Sequence, residues 1–281
     1  MLKCNCGSEI PDTDERCPTC GFNAGPPNVR AAERPEEVKA LEERYQRALE
    51  LAVMNGCLPT LERFDLAVKQ AFTVLNVTLN FLHYFVTSES SLYVNYEGGV
   101  RGGLRKPASL YNDFARRGVA ATLFGSYADR IIYAALSLDG SGLTSYGGYA
   151  IKLRDVAVKT RATILQNNSY HFRKRHNIQP GDAPPLGYIA TWDNKAKLAV
   201  AKTAEYITAS TREADFPRLL LSSADDREKD EFMEVQIYGT FDLNAVESVK
   251  GRSKVSSRDD RDLLRMVKEH LKNLGKEWVE E

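Results

Sequence analysis

Four of the five cysteines fall within the first 20 residues, as Cys4-Asn-Cys6-Gly7 and Cys17-Pro-Thr-Cys20-Gly21. No other feature restricts the folding of this chain as tightly. Clustered cysteines speak against a distributed disulfide framework and for a metal site. Each pair ends in glycine, which permits the tight turn that brings backbone amides to the sulfurs. Two such turns can present four thiolates to one tetrahedral Zn²⁺. That shell is coordinatively closed, so the role expected for Cys4, Cys6, Cys17 and Cys20 is structural. The ion would supply folding energy that a unit of this size cannot obtain from burial. Redox chemistry by Cys17 and Cys20 is the alternative, and the second cysteine pair weighs against it.

The unit resembles the small zinc ribbons found at the ends of many bacterial proteins. It departs from them in its first knuckle, where only Asn5 separates the cysteines. Residues 1–24 are therefore expected to form a zinc ribbon, 25–35 a Gly/Pro-rich linker, and 36–281 one α+β domain. Lys+Arg and Asp+Glu both total 38, so no global field draws the chain to nucleic acid. Any such contact must come from a local patch. No apolar run reaches the ~18–20 residues of a membrane span, and the N-terminus has no apolar signal core. A cytoplasmic protein with no membrane partner is expected.

Hydrophobic spacing predicts a helix from Pro35, with Val38, Leu41, Tyr45, Leu49 and Ala52 on one face. The apolar stretch Ala71 to Val86, which contains His83, suits a helix or a strand. Strands are expected at 130–138, 149–154 and 161–165, and Arg218 to Ser222 reads as a buried strand. Asp242 to Val249 reads as a short helical turn or loop. Ser257, with Asp260 three residues on, opens a terminal helix over 257–280 whose apolar stripe includes Leu264, Val267, Leu271, Leu274 and Trp278. Glu231 to Phe241 reads as a strand with two rows. Met233, Val235 and Ile237 form the apolar row, and Glu234, Gln236 and Tyr238 form the polar one.

Arg130 opens the first of these strands. Ser141, Ser145 and Tyr146 lie among glycines at the junction of the first and second. Strand, Ser/Tyr-bearing glycine turn, second strand and a late strand beginning Glu234-Val235 together resemble the ADP-ribosyltransferase superfamily. Within it they look like the bacterial toxin and phage-defence branch, over roughly residues 130–250 (the expected mixed β core). The resemblance implies NAD⁺ as substrate and Glu234 as the catalytic carboxylate beside the ribose. It implies that Ser145 and Tyr146 shape the nicotinamide pocket, and that an early Arg or His, Arg130 or His83, holds phosphate or ribose. Ser141 and Gln236 join them as candidate NAD⁺ contacts. Family members often carry Glu or Gln two residues before the catalytic glutamate; here that residue is Phe232.

Arg173-Lys174-Arg175, beside Tyr170, His171 and Phe172, is the strongest basic cluster and could contact a nucleic-acid acceptor. The blander account is a helix end where cations meet the negative dipole terminus. The expected function is thus ADP-ribosyl transfer to a macromolecule, in a toxin or defence role with an antitoxin or operon partner. The rival is a zinc-ribbon module that binds nucleic acid or protein without catalysis.

Overall fold

Residues 1–88, 92–103, 110–224 and 226–281 are described by a computed structural model, with side chains throughout except at 110–115. In chain order the first elements are β1 (Leu2–Lys3), β2 (Glu9–Ile10), α1 (Pro27–Ala32), α2 (Pro35–Met54), α3 (Leu58–Lys69), β3 (Phe72–Val77), α4 (Leu79–Thr87) and α5 (Tyr96–Arg101). Next come α6 (Leu110–Phe124), β4 (Ile131–Ser137), β5 (Tyr149–Leu153), α7 (Asp155–Val158), β6 (Ala162–Leu165), α8 (Ser169–Arg175), β7 (Ile189–Thr191) and α9 (Lys195–Thr203). The chain ends with α10 (Phe216–Leu220), β8 (Leu221–Ser222), β9 (Glu231–Phe232), β10 (Glu234–Tyr238), β11 (Val246–Gly251), α11 (Arg258–Asn273) and β12 (Glu277–Glu280).

Eight strands form one mixed sheet in the order β12-β11-β5-β3-β4-β10-β6-β7. Its neighbours pair antiparallel except β11 with β12. The chain is therefore α+β, a mixed sheet with helices, preceded by a small unit in which the β1–β2 hairpin and the residues just after it bring four cysteines together. No helix among the described residues is long and apolar enough to cross a membrane.

The sheet's two faces differ in chemistry. Ile132, Ala134 and Leu136 of β4, Ala162 and Ile164 of β6, and Val235 and Ile237 of β10 join one continuous apolar cluster with residues of α2, α3, α4, α9 and α11. Alternate residues point to the opposite face, where three small apolar groups replace a continuous core. These centre on Phe124–Ile131–Tyr238, on Ala135–Leu143–Phe232 and on Leu165–Phe172–Ile178. Glu234 and Gln236 of β10 point to this face as well, and Tyr238 belongs to the first of the groups.

Several segments differ from their sequence reading. Pro26 and Pro27 lead into α1, where Pro27 takes the first turn and Asn28 and Ala32 are buried, so residues 25–35 hold a packed helix. The ambiguous 71–86 stretch is both kinds of element, β3 then α4, split where the Thr78 hydroxyl caps Phe81 N at 3.4 Å. The 218–222 segment is mostly α10, because Pro217 fits a first helical turn and Phe216 and Leu220 bury one i, i+4 face. Residues 243–245 do form a short helical turn, but 246–251 is β11, which pairs with β5 through a bulge between Val246 and Ser248. The terminal helix begins as expected, with Ser257 accepting from Asp260 N at 3.2 Å. It stops at Asn273, because Gly275 turns the chain at φ +65° and Lys276 N bonds back to Leu271 O at 2.8 Å. Trp278 then lies on β12.

Leu136 is fully buried on the continuous face, whereas Val156 is largely exposed. Leu136→Ala should cost about 2–5 kcal/mol in urea unfolding and Val156→Ala under about 0.5 kcal/mol. Equal effects would contradict this assignment of the core face.

Candidate functional site

The β10 strand lies between β4 and β6, with Glu234 opposite Ala135 and Leu165, and Gln236 opposite Tyr133 and Thr163. Glu234, Gln236 and Tyr238 are only 4%, 3% and 6% exposed, so the polar row is not a solvated face. A buried carboxylate needs hydrogen-bond donors. Glu234 has three: Ser169 Oγ, Ser169 N at 3.2 Å and Gln236 Nε2 at 3.0 Å. Ser169 is the first residue of α8, whose preceding Asn168 caps Tyr170 N at 2.8 Å. Burial pushes the Glu234 carboxyl up from its ordinary value, and the bonds from Ser169 and Gln236 pull against that rise.

Two tyrosines feel the charge of this carboxylate, and two arginines act on those tyrosines in turn. Burial first, and the Glu234 charge second, raise the hydroxyls of both Tyr133 and Tyr146. Arg227 and Arg116 oppose the rise at Tyr146, and Arg116 does so at Tyr133. The Arg227 guanidinium lies 4.6 Å from the Tyr146 ring centroid and its Nε donates to Ser145 O at 3.0 Å. Ser145 Oγ donates to the fully buried Asp230, which also accepts from Ala224 N at 2.8 Å. The turn bearing Ser145 and Tyr146 is thus tied to the segment before β9.

The structure brings Glu234, Gln236 and Tyr146 into one electrostatic neighbourhood, with Ser145 beside it. Other candidates lie elsewhere. Arg130 precedes β4, five residues from Ala135 and so about 16 Å along the strand from Glu234's level. It bonds the Tyr238 hydroxyl at 2.7 Å and Glu15 at 3.3 Å. Ser141 Oγ accepts from Lys250 Nζ at 2.7 Å. His83 rides on α4, whose apolar residues join the cluster on the other face.

In the basic cluster, Arg173 Nε donates to Ile178 O at 3.0 Å and Arg175 pairs with Glu231 at 3.5 Å. Phe172 is fully buried, while Tyr170 is 42% exposed, so Tyr170 rather than Phe172 is placed to stack on a base. Two surface depressions, about 840 Å³ along α2 and about 410 Å³ beside His176 and Asp182, are lined by other residues than Glu234. Sequence reasoning missed Tyr133, Ser169, Arg116, Arg227 and Asp230. Only Tyr133 carried a signal, since strand alternation places it on the polar face of β4.

The second site is the cysteine unit. All four sulfurs lie within 4.8 Å of one another, with Cys4–Cys20 at 3.5 Å and Cys6–Cys17 at 3.6 Å. A tetrahedral ion with ~2.3 Å bonds to sulfur has edges of about 3.8 Å, so the donor set fits a cation of the zinc type. The one-residue first knuckle closes with Gly7 N to Cys4 O at 2.9 Å, and the second closes with Gly21 N to Cys17 O at 3.0 Å. Gly7 and Gly21 adopt φ +89° and +73°, which a side chain would disfavour. Hydrogen bonds from Ser8 hold the Cys6 thiol down at about 6. The Cys6 amide acts to lower Cys4 as well, but burial and the neighbouring thiols outweigh it and carry Cys4 up to about 12. Apart from Cys4 and Cys17, Ile10 is the sole buried apolar residue of this unit's core, with Ala24 packed against it.

Together these features define an α+β protein with a buried carboxylate cluster on one sheet face and an N-terminal four-cysteine unit. The chain matches no protein-family model and no curated protein.

Because Glu234 is raised in the fold, its proton favours the folded state. Its contribution is fully present below the unfolded value and is lost as pH rises through the folded one. Urea melts from pH 4 to 8 should show a decline in wild-type stability that Glu234→Gln lacks. Parallel curves would show that this carboxyl titrates normally.

Proposed function

We propose that the chain transfers ADP-ribose from NAD⁺ to a macromolecular acceptor, with Glu234 as the working carboxylate. The observation that supports this reading is a desolvated carboxylate at the start of a central strand, oriented by three donors and flanked by Tyr133 and Tyr146. In the reaction the bond between ribose C1′ and nicotinamide breaks, and its electron pair leaves with neutral nicotinamide. Positive charge then develops on the ribose, where a carboxylate in a low-dielectric setting stabilises it more than in water. The acceptor forms the new bond to C1′ and gives up its proton. Arg116 and Arg227, rather than Arg130, are the cations suited to the NAD⁺ phosphates in this reading. Substrate entry requires the residues covering Glu234 to part, since that side chain is almost fully enclosed.

Nucleic acid is the acceptor class we favour, from exposed Lys174 and Tyr170 on α8. The toxin or defence role and an antitoxin partner rest on the family resemblance alone. In the cysteine unit we propose one structural Zn²⁺, held by Cys4, Cys6, Cys17 and Cys20.

Purified protein incubated with labelled NAD⁺ and either oligonucleotides or cell-extract protein should transfer label. Glu234→Gln should lower transfer by at least about 100-fold, the scale of a lost electrostatic stabiliser. The acid limb of the rate profile should lie above the ordinary carboxylate range, because the raised Glu234 must be ionised to act. Equal transfer by the variant would remove Glu234 from the chemistry. No NAD⁺ consumption with any acceptor would favour a binding module. Metal analysis of protein purified under reducing conditions should find one Zn²⁺ per chain, and none would overturn the assignment.

A further inference from the structure

We infer that Asn28 is a positioning residue for Glu234 and that it makes the setting of this carboxylate depend on the metal of the cysteine unit. Asn28 is 3% exposed and sits on α1, between the cysteine unit and the sheet. Its Nδ2 donates to Gln236 O at 3.0 Å and to Arg161 O and Thr163 Oγ1, both at 3.3 Å. Thr163 Oγ1 in turn donates to Gln236 Oε1 at 3.3 Å, and Gln236 Nε2 donates to Glu234 at 3.0 Å. The Gln236 side chain is therefore oriented at both ends, one end by the Asn28–Thr163 pair and the other by the carboxylate. Asn28 Oδ1 is buried without a partner, a cost that an apolar residue filling the same space would not carry. The bonds of its amide group offset that cost.

The position of α1 depends on the loop between the two knuckles. Arg30, two residues beyond Asn28, donates to the carbonyls of Pro11 and Asp12 at 3.1 Å, Asp14 at 2.8 Å and Gly25 at 3.1 Å. Three of these acceptors lie between Cys6 and Cys17. Their convergence on one guanidinium requires both ends of the loop to be fixed, and the shared cation is what fixes them. The same loop supplies Asp12 to Arg34 at 2.8 Å and Glu15 to Arg130 at 3.3 Å. From metal to carboxylate the path runs through the knuckle loop, Arg30, α1, Asn28, Thr163 and Gln236, each link a hydrogen bond or a covalent turn. Such a path predicts non-additive effects between its two ends.

The structural half of this inference stands on geometry, and only its catalytic consequence rests on Glu234 being the working carboxylate. The test is amide hydrogen exchange of the full chain, zinc-loaded and chelator-stripped, in wild type and Arg30→Ala. Arg30→Ala breaks the clasp without touching the sheet, and Lys39→Ala, at an exposed position of α2 that pairs with Glu43, serves as a control that leaves the loop's contacts intact. Stripping wild type or Lys39→Ala should speed exchange over 162–165 and 234–238 by at least about tenfold. In Arg30→Ala exchange there should already be fast with zinc bound, and stripping should add less than about twofold. Equal acceleration by stripping in wild type and Arg30→Ala would overturn the coupling, as would loss of protection confined to residues 2–24. This readout uses no NAD⁺, so it can fail or succeed apart from the transferase reading. Where transfer is measurable, Arg30→Ala should displace the acid limb of the pH profile. A uniform fall in rate at every pH would mark a merely structural role.

Discussion

The arrangement of the sheet's polar face depends on the cost of burying one carboxylate. Glu234 lies buried on an interior strand of an eight-stranded sheet, where an ionised group without partners would be untenable. Its three donors explain much of the local structure. Ser169 must start a helix at that point, so that both its amide and its hydroxyl face the strand. Gln236, the next side chain on the same face, must turn its amide toward Glu234, and its own oxygen then needs Thr163. The apolar residues of this face pack in three separate groups, and Glu234 and Gln236 belong to none of them.

The cysteine unit contributes in a different way. Its core is too small for burial to hold it, and the proposed cation would replace burial as the source of order. What it offers the rest of the chain is a set of oriented backbone carbonyls, which Arg30 gathers, and the Glu15 carboxylate, which meets Arg130 and Tyr238. The Arg130–Tyr238 pair thus belongs to the seam between this unit and the sheet. That position accounts for Tyr238 sharing a strand face with Glu234 while serving a different contact.

Elements defined by short-range pattern were legible in the sequence. The cysteine spacing, the strands β4, β5 and β6, and the alternation of β10 all depend on neighbours within a few residues. Elements that differ from the sequence reading depend on remote partners or on one local signal overriding another. Val246 to Gly251 becomes a strand because β5 is available to pair with it, and Trp278 leaves the terminal helix because Gly275 breaks it first. For the site, the Glu234 and Gln236 row could be read from period-two alternation, but their burial could not. Ser169 is 65 residues from Glu234 and Asn28 is 208 from Gln236, and no spacing rule spans such distances.

By itself, then, the sequence determined a unit of four clustered cysteines and a strand with a carboxylate and an amide on one face. Both follow from local spacing and from the alternation of side chains along an extended chain. Only the tertiary structure decided that this face is dry, that Arg130 lies at the far end of β4, and that α1 joins the cysteine unit to the sheet. Those outcomes depend on which strands become neighbours, and β10 is enclosed on both faces by helices drawn from distant parts of the chain.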